Sequence, residues 1–280
     1  MLETPSDGRA GRLDRWICIA LLALIVVTQF NGKWYGIGDT RWYIPVALSL
    51  LEEGNNNLDE YRDIMTSRDY AVMGYRGHLY NFFPIGPSLI AAPFVYALDR
   101  LGIHVFDMSV AGYIHQHNPW RIESLIAVCI VALTTVIMYR LARLFLDPPR
   151  AALIALLFAY ATSTWSSASM ALWMHGPSML CLALALYWLL RGRERAAFVY
   201  AAAAPLFFSF AIRPTNGAPV ALLSFYVLLK HRKQFPLFVA IGLVALVPLF
   251  LDSYAKSGRL LDHYYLSGGT ATHLLSLVGL

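Results

Sequence analysis

The chain has 280 residues, of which 58% are hydrophobic and only 14% charged, and its mean hydropathy is +0.53. This composition excludes an ordinary soluble globular protein, in which charged residues make up about 25% of the chain. The net charge of +5 is not gathered into a basic tract, which excludes a recognisable nucleic-acid-binding surface. The sequence therefore predicts a protein whose surroundings are membrane lipid and whose partners do not include nucleic acid.

Seven apolar segments predict helices that cross a hydrocarbon core of about 30 Å. Two of them come from residues 151–190, which contain no Asp, Glu, Lys or Arg. A single helix of that length would measure about 60 Å, so we divide the stretch near its polar middle at 162–177. The predicted spans are residues 16–32, 123–139, 151–164, 175–190, 196–212, 214–229 and 235–251. They indicate an all-α integral membrane fold with about seven transmembrane helices.

Basic residues predict the orientation of these helices, because short cytoplasmic loops are enriched in Lys and Arg. Residues 1–15 carry three arginines, and no small-x-small cleavage site follows the first apolar run, so we predict an uncleaved anchor with a cytoplasmic N-terminus. Basic clusters recur at 140–150, 191–195 and 230–233. The segments assigned to the cytoplasm hold twelve Lys or Arg and five Asp or Glu, against ten and twelve outside. This pattern predicts a multi-pass membrane protein with its N-terminus in the cytoplasm.

The first outer loop, residues 33–121, is too long for a simple connection, and loops of that size usually carry function. Asp39 and Thr40 predict the capped start of an amphipathic juxtamembrane helix that ends at Gly54. The apolar stretch 84–98 predicts a second juxtamembrane helix, interrupted by Pro84, Pro87 and Pro93. A crossing at 84–98 would place every later basic cluster outside, so we keep it on the outer surface.

Residues 16–252 thus form the predicted transmembrane module, and residues 253–280 form an outer C-terminal segment whose apolar end predicts the start of a further span. Aromatic and proline residues crowd the outer loop at 78–87, a composition that suits a lipid-linked or carbohydrate ligand.

Four stretches combine into a recognisable arrangement: an acidic residue, Asp39, just after the first span; the run 77–93; Trp173 to Gly176 with residues 213–215; and 252–258 with 264–265. With them the chain resembles the GT-C class of integral-membrane glycosyltransferases, in particular bacterial relatives of protein O-mannosyltransferases and of the lipid A aminoarabinose transferase. It departs from that pattern at 83–86, where Phe-Pro-Ile-Gly replaces a Lys-Pro-Pro-Gly-like run, and it ends at Leu280 before the further spans common in relatives.

The resemblance implies an enzyme of the cell envelope, in the bacterial inner (plasma) membrane, that uses a sugar on a polyprenyl phosphate as donor and a lipid, glycan or protein as acceptor. It implies that Asp39 is the catalytic base. Transfer from such a donor needs no general acid, because the phosphate is already a good leaving group, but it needs a base for the acceptor and cations for the phosphate. From the residues alone, the N-cap of the following helix is the favoured explanation of Asp39, and it is the resemblance that favours the catalytic role instead.

Further candidate residues come with simpler explanations of their own. Arg213 follows a long uncharged run and could hold a phosphate, or it could be an interfacial arginine that reaches toward the headgroups. His175 could contact phosphate or merely cap a hairpin turn. The candidates for donor-phosphate binding are Arg213, His175, Arg76 and His78, and those for substrate contact are Trp42, Tyr43, Tyr80 and Tyr264.

We expect no cofactor, and the sequence gives no support for a divalent cation. His115-Gln116-His117 lacks a third ligand nearby, so we predict no metal site there. A polytopic transporter or lipid flippase is the alternative function, although it predicts charged or broken residues in mid-span, where these segments are uncharged. A scaffold or a truncated, inactive paralogue is the third hypothesis.

Overall fold

A computed structural model describes residues 8–30, 39–65, 70–102 and 119–266, and these residues are mostly helical. Two antiparallel strands, a π-helical turn at Thr164–Ala168 and 3₁₀ turns at Asp59–Ile64 and Pro214–Asn216 complete the described elements. The strands are β1 (Val72–Tyr75) and β2 (His78–Asn81). The helices are α1 (Gly8–Gln29), α2 (Tyr43–Glu52), α3 (Gly86–Arg100), α4 (Pro119–Ala142), α5 (Pro148–Tyr160), α6 (His175–Arg191), α7 (Ala196–Ile212), α8 (Gly217–Lys230), α9 (Phe235–Ala245), α10 (Val247–Ser257) and α11 (His263–Leu266).

Each of the seven apolar segments predicted to span the membrane is helical: α1, α4, α5, α6, α7, α8 and the α9–α10 pair. Within the described residues, two helical stretches are long and apolar enough to cross a membrane, namely Ile122–Ala142 and Phe235–Ser257. Helices α5 and α7 are apolar but shorter. The structure therefore gives coarse support for membrane association, and the seven-span arrangement stays a prediction.

The helix ends separate into two groups. At one end, the Glu123 carboxylate near the start of α4 accepts a hydrogen bond from the Leu172 amide (2.8 Å), and the Tyr265 hydroxyl of α11 donates to the Ala211 carbonyl of α7 (2.8 Å). At the other end, Asp14 of α1 pairs with Arg143, which follows α4 (Nε–Oδ1 2.8 Å). We call the first group the site end, because the candidate residues gather there.

A β-hairpin in the outer loop makes the all-α prediction wrong in this part of the chain. Val72 pairs with Asn81 and Tyr75 with His78, so two residues form the turn between them. Arg76 and Gly77 both have positive φ, at 51° and 89°. A two-residue turn with two positive φ angles matches the right-handed twist of paired strands, and glycine adopts such a conformation without steric cost.

The juxtamembrane helices differ from prediction at two points. Helix α2 begins at Tyr43 and no side chain caps it, so the predicted N-cap role of Asp39 is wrong, although the helix does end just before Gly54. Helix α3 runs unbroken through Pro93, so the predicted interruption there is wrong. Pro93 is exposed on the surface of α3. The two helices pack against each other through small, buried side chains such as Ala47 and Ala91.

Candidate functional site

Asp39 lies at the site end, immediately before α2, and is half-buried. The Tyr70 hydroxyl donates a hydrogen bond to the Asp39 Oδ1 atom. Burial, together with this hydrogen bond to a carboxylate, raises the pKa of Tyr70 to about 12. Tyr70 therefore stays protonated and donating at neutral pH, which orients the Asp39 carboxylate.

Four aromatic rings connect Asp39 to the rest of the site, and we call Tyr70, Phe82, Phe83 and Tyr264 the aromatic wall. Tyr70 meets Phe83 edge to face at a centroid distance of 6.4 Å. Tyr264 meets Phe82 at 5.6 Å and Phe83 at 5.7 Å in the same geometry. Edge-to-face contacts at these distances are favourable and fix the relative orientation of the rings.

Tyr264 lies near both charged groups that the predicted chemistry needs, the cation Arg213 and the carboxylate Asp39. Burial raises the pKa of Tyr264 to about 12, while positive Arg213 acts to lower it and negative Asp39 acts to raise it. Both charged groups therefore lie in the neighbourhood of Tyr264, within the range over which charges act on its hydroxyl. The Tyr264 hydroxyl also contacts the Met174 sulfur at 3.6 Å, directly beside His175.

Arg213 and His175 form a hydrogen-bonded pair with Nη1 and Nδ1 2.9 Å apart. A guanidinium only donates hydrogen bonds, so the imidazole accepts through Nδ1 and is neutral in this arrangement. Arg213 has an extended backbone (φ −152°, ψ 123°), as expected for a residue that precedes proline. The Asn216 amide then ties this turn to Ser178 of α6 (2.7 Å) and to Ser209 of α7 (2.8 Å).

Tyr43 and Trp42 lie beneath the site, each only 1% exposed. Burial, followed by the nearby Tyr264 and Asp39, raises the pKa of Tyr43 well above 10. Within the described chain its hydroxyl makes no hydrogen bond, so it is a donor left available at the floor of the site. Trp42 packs against Tyr61 at 6.2 Å and belongs to the core.

The hairpin residues join a different cluster from the one predicted. The His78 Nδ1 atom pairs with Asp59, the Arg76 guanidinium stacks over Tyr75 at 5.2 Å, and the buried Tyr80 ring meets His78 at 6.4 Å. Among the contacts described for these ranges, none joins Arg76 or His78 to Arg213. Of the four phosphate-binding candidates, the structure therefore brings together His175 and Arg213.

A buried ion pair at the site end was not predicted. Asp252 and Lys256 on α10 are each 2% exposed, and their Oδ2 and Nζ atoms are 2.7 Å apart. The Asn56 amide donates to Asp252 Oδ1 (2.7 Å), and Lys256 donates to the Phe83 carbonyl (3.0 Å). The i, i+4 spacing of the two charges is visible in the sequence, but on a helix it usually marks an exposed pair.

A groove of about 250 Å³ opens beside this pair, between α2, α3 and α10. Leu50, Leu89 and Leu251 line it with apolar surface, and Asn56 and Asp252 supply polar groups.

Metal ligation finds no support in the ranges that the structure describes, which contain no cluster of three or more His, Cys, Asp or Glu side chains suited to an ion. His115-Gln116-His117 lies outside those ranges.

Comparison of the chain with known protein families, with curated proteins and with solved structures found no match. The likeness to GT-C transferases therefore stays a hypothesis carried by the sequence motifs.

Proposed function

We propose that the chain is a membrane glycosyltransferase that moves a sugar from a polyprenyl phosphate to a hydroxyl of a lipid, glycan or protein on the extracytoplasmic face. The observation that carries this proposal is a series of contacts that connects the carboxylate of Asp39 to Tyr264 through Tyr70 and Phe83. Tyr264 contacts Met174, and the next residue, His175, is hydrogen-bonded to the cationic Arg213. A base and a phosphate-binding cation on one aromatic surface are the two groups that such a transfer requires.

The proposed reaction is a displacement at the anomeric carbon of the sugar. The acceptor oxygen forms a bond to that carbon, and the bond to the phosphate oxygen breaks. The polyprenyl phosphate leaves with the bonding electron pair, and the acceptor proton passes to Asp39. Tyr70 engages one oxygen of Asp39, which leaves the other oxygen for the acceptor. Arg213 stabilises the phosphate as its negative charge grows.

His175 contributes by orienting Arg213. A neutral imidazole that accepts from one guanidinium nitrogen holds the side chain in place without adding a competing anion. The remaining guanidinium N–H groups can then bind two phosphate oxygens, a geometry that lysine cannot reproduce.

The membrane setting of this proposal is supported by apolar side chains that the protein leaves exposed. Leu222 and Val244 are each 69% exposed and Leu251 is 66% exposed, on α8, α9 and α10. Large apolar side chains left exposed on apolar helices are typical of contact with lipid. Basic clusters at the end opposite the site agree with an outward-facing site under the positive-inside rule.

The experiment uses purified protein in liposomes, with polyprenyl phosphates that carry a radiolabelled hexose or pentose. We expect Asp39→Asn to lower the rate of sugar transfer by about 10²-fold or more, since general bases contribute about 10²–10⁴-fold. Asp63→Asn is the matched control, because Asp63 is an exposed aspartate in the same outer loop. Full transfer activity in Asp39→Asn would show that the assignment of the base is wrong.

The buried Asp252–Lys256 pair favours a second candidate, a lipid flippase or transporter. Both residues lie in Phe235–Ser257, one of the two stretches long enough to span a membrane, and buried charges inside spans mark transport pathways. Movement of a labelled lipid across empty liposomes, without any covalent product, would support this candidate over the transferase.

A further inference from the structure

Lys256 makes a contact whose position is unusual for a buried charge. Its ammonium group is bound not only to Asp252, one turn earlier on α10, but also to the backbone carbonyl of Phe83 in the outer loop. Asp252 in turn holds Asn56, in the loop after α2. The pair therefore ties three distant segments together at one point.

A stabilising role does not by itself explain this pair. Removing a lysine and an aspartate from water costs more than their mutual attraction usually returns, and apolar replacements of buried pairs are often neutral or more stable. Both side chains are nevertheless at least 98% shielded here, since their exposed fractions are 2% and 1%. The pair supplies two hydrogen bonds that an apolar pair would not: Asp252 accepts from the Asn56 amide, and Lys256 donates to the Phe83 carbonyl.

Phe83 belongs to the aromatic wall, so the position of its backbone affects the site directly. Its ring contacts Tyr264 at 5.7 Å and Tyr70 at 6.4 Å, and Tyr70 donates to Asp39. Pro84 follows and has no N–H group, so the turn after Phe83 has one backbone donor fewer with which to anchor itself. The hydrogen bond from Lys256 to the Phe83 carbonyl therefore fixes the backbone on which the orientation of the aromatic wall depends.

We propose that Lys256, held in place by Asp252, is a positioning residue for the Asp39 site: it fixes the Phe83 carbonyl and through it the aromatic wall. This inference rests on the proposed transferase function for its kinetic consequence. Its structural consequence, an ordered 72–84 segment, is independent of that function.

Two double variants isolate the hydrogen bond from the charge. Lys256→Met with Asp252→Asn removes both charges and the donor to Phe83. Lys256→Gln with Asp252→Asn removes both charges but keeps an N–H donor on a side chain that is one bond shorter. A third protein, Arg191→Met with Glu194→Gln, removes a partly exposed ion pair (2.7 Å) and serves as the control.

Three measurements are made on each full-length protein in detergent or liposomes: thermal unfolding, sugar-transfer kinetics and hydrogen exchange of peptides from 70–85. For the Met variant we expect a midpoint within about 3 °C of wild type. We expect kcat to fall roughly 10- to 100-fold with little change in the donor KM, because misplacement of a catalytic surface by about 1 Å has that effect. We expect exchange in 72–84 to accelerate, with partial recovery of both properties in the Gln variant.

The outcomes separate this inference from the proposed function. If the wild type transfers sugar and the Met variant is as active, with unchanged exchange in 72–84, Lys256 does not position the site. If the wild type transfers no sugar, the proposed function fails. In that case, hydrogen exchange in the Met variant that accelerates only in 72–84 would still support a positioning role for Lys256. Unchanged exchange there would overturn it. If the Met variant does not fold, the Gln variant is the test. A folded Gln variant with the kcat of the wild type and unchanged exchange in 72–84 overturns the inference. A lower kcat with faster exchange in 72–84 supports it.

Discussion

Gly86 lies at the point where α3 meets the end of α7, and replacing it with alanine provides a quantitative test of the packing at the site end. A Cβ atom at this position would lie 2.7 Å from the Cα of Ile212 and 2.8 Å from the Ala211 carbonyl oxygen. Carbon atoms in contact normally stay about 3.5–4.0 Å apart, so the overlap is about 1 Å. Because the obstructing atoms belong to the backbone, no side-chain rotation can relieve the clash.

We expect Gly86→Ala to destabilise the protein by about 1–3 kcal/mol, the usual cost of overpacking a close contact. At about 2–4 °C per kcal/mol, the thermal midpoint should fall by roughly 3–10 °C. Arg213 follows the obstructed segment directly, so sugar transfer should fall as well. The assay is thermal unfolding in detergent, followed by transfer measured well below the midpoint.

Gly11→Ala is the matched control, because an added Cβ on α1 meets nothing within 4 Å. Alanine is favoured over glycine inside a helix by about 1 kcal/mol, so this variant should be as stable as wild type or more stable. A midpoint for Gly86→Ala at or above that of wild type would refute the close backbone contact between α3 and α7.

Two further predictions concern the hairpin. Burial opposes ionisation of Asp59, but hydrogen bonds from His78 and the Leu79 amide outweigh it and lower the Asp59 pKa below 3.8. The ionised carboxylate therefore stabilises the folded protein above about pH 4. This contribution to the free energy of unfolding is lost as the pH falls through the lowered pKa. The midpoint difference between wild type and Asp59→Asn should shrink below about pH 4, and a constant difference would contradict this. Gly258 has φ +69°, and a Cβ atom added to it would lie 2.5 Å from the Tyr75 hydroxyl. Gly258→Ala should therefore lower the thermal midpoint, and adding Tyr75→Phe should restore part of the loss. If the double variant shows no recovery, there is no clash with Tyr75.

The helices of this protein follow directly from its sequence. Long apolar runs predict α6 and α7 to within one residue at each end, because nothing in those runs competes with helical hydrogen bonding, whereas α4 extends three or four residues beyond its predicted span at each end. The hairpin was missed although its signal is present: Gly77 follows Arg76 between segments that contain Tyr75 on one side and Tyr80 on the other. A two-residue connection ending in glycine predicts a hairpin turn.

The site was predictable in part. Arg213 and His175 could be found from their places at the ends of apolar runs, and the fold joins them by a hydrogen bond. Asp39 was singled out by the resemblance. Tyr70 and Lys256 could not be found in this way. Their contacts join residues 31 and 173 positions apart, and no local pattern in a single sequence reports such distances.

The bond between Lys256 and the Phe83 carbonyl also bears on the order in which the chain assembles. During synthesis Lys256 emerges 173 residues after Phe83. The Phe83 carbonyl therefore gains its hydrogen bond only after α10 has been made. Closing so long a loop carries an entropic cost that is recovered only when both ends are in place. The site therefore forms late in synthesis. In a ribosome-bound chain that stops before residue 256, the surface around Asp39 would lack the hydrogen bond from Lys256 that fixes Phe83.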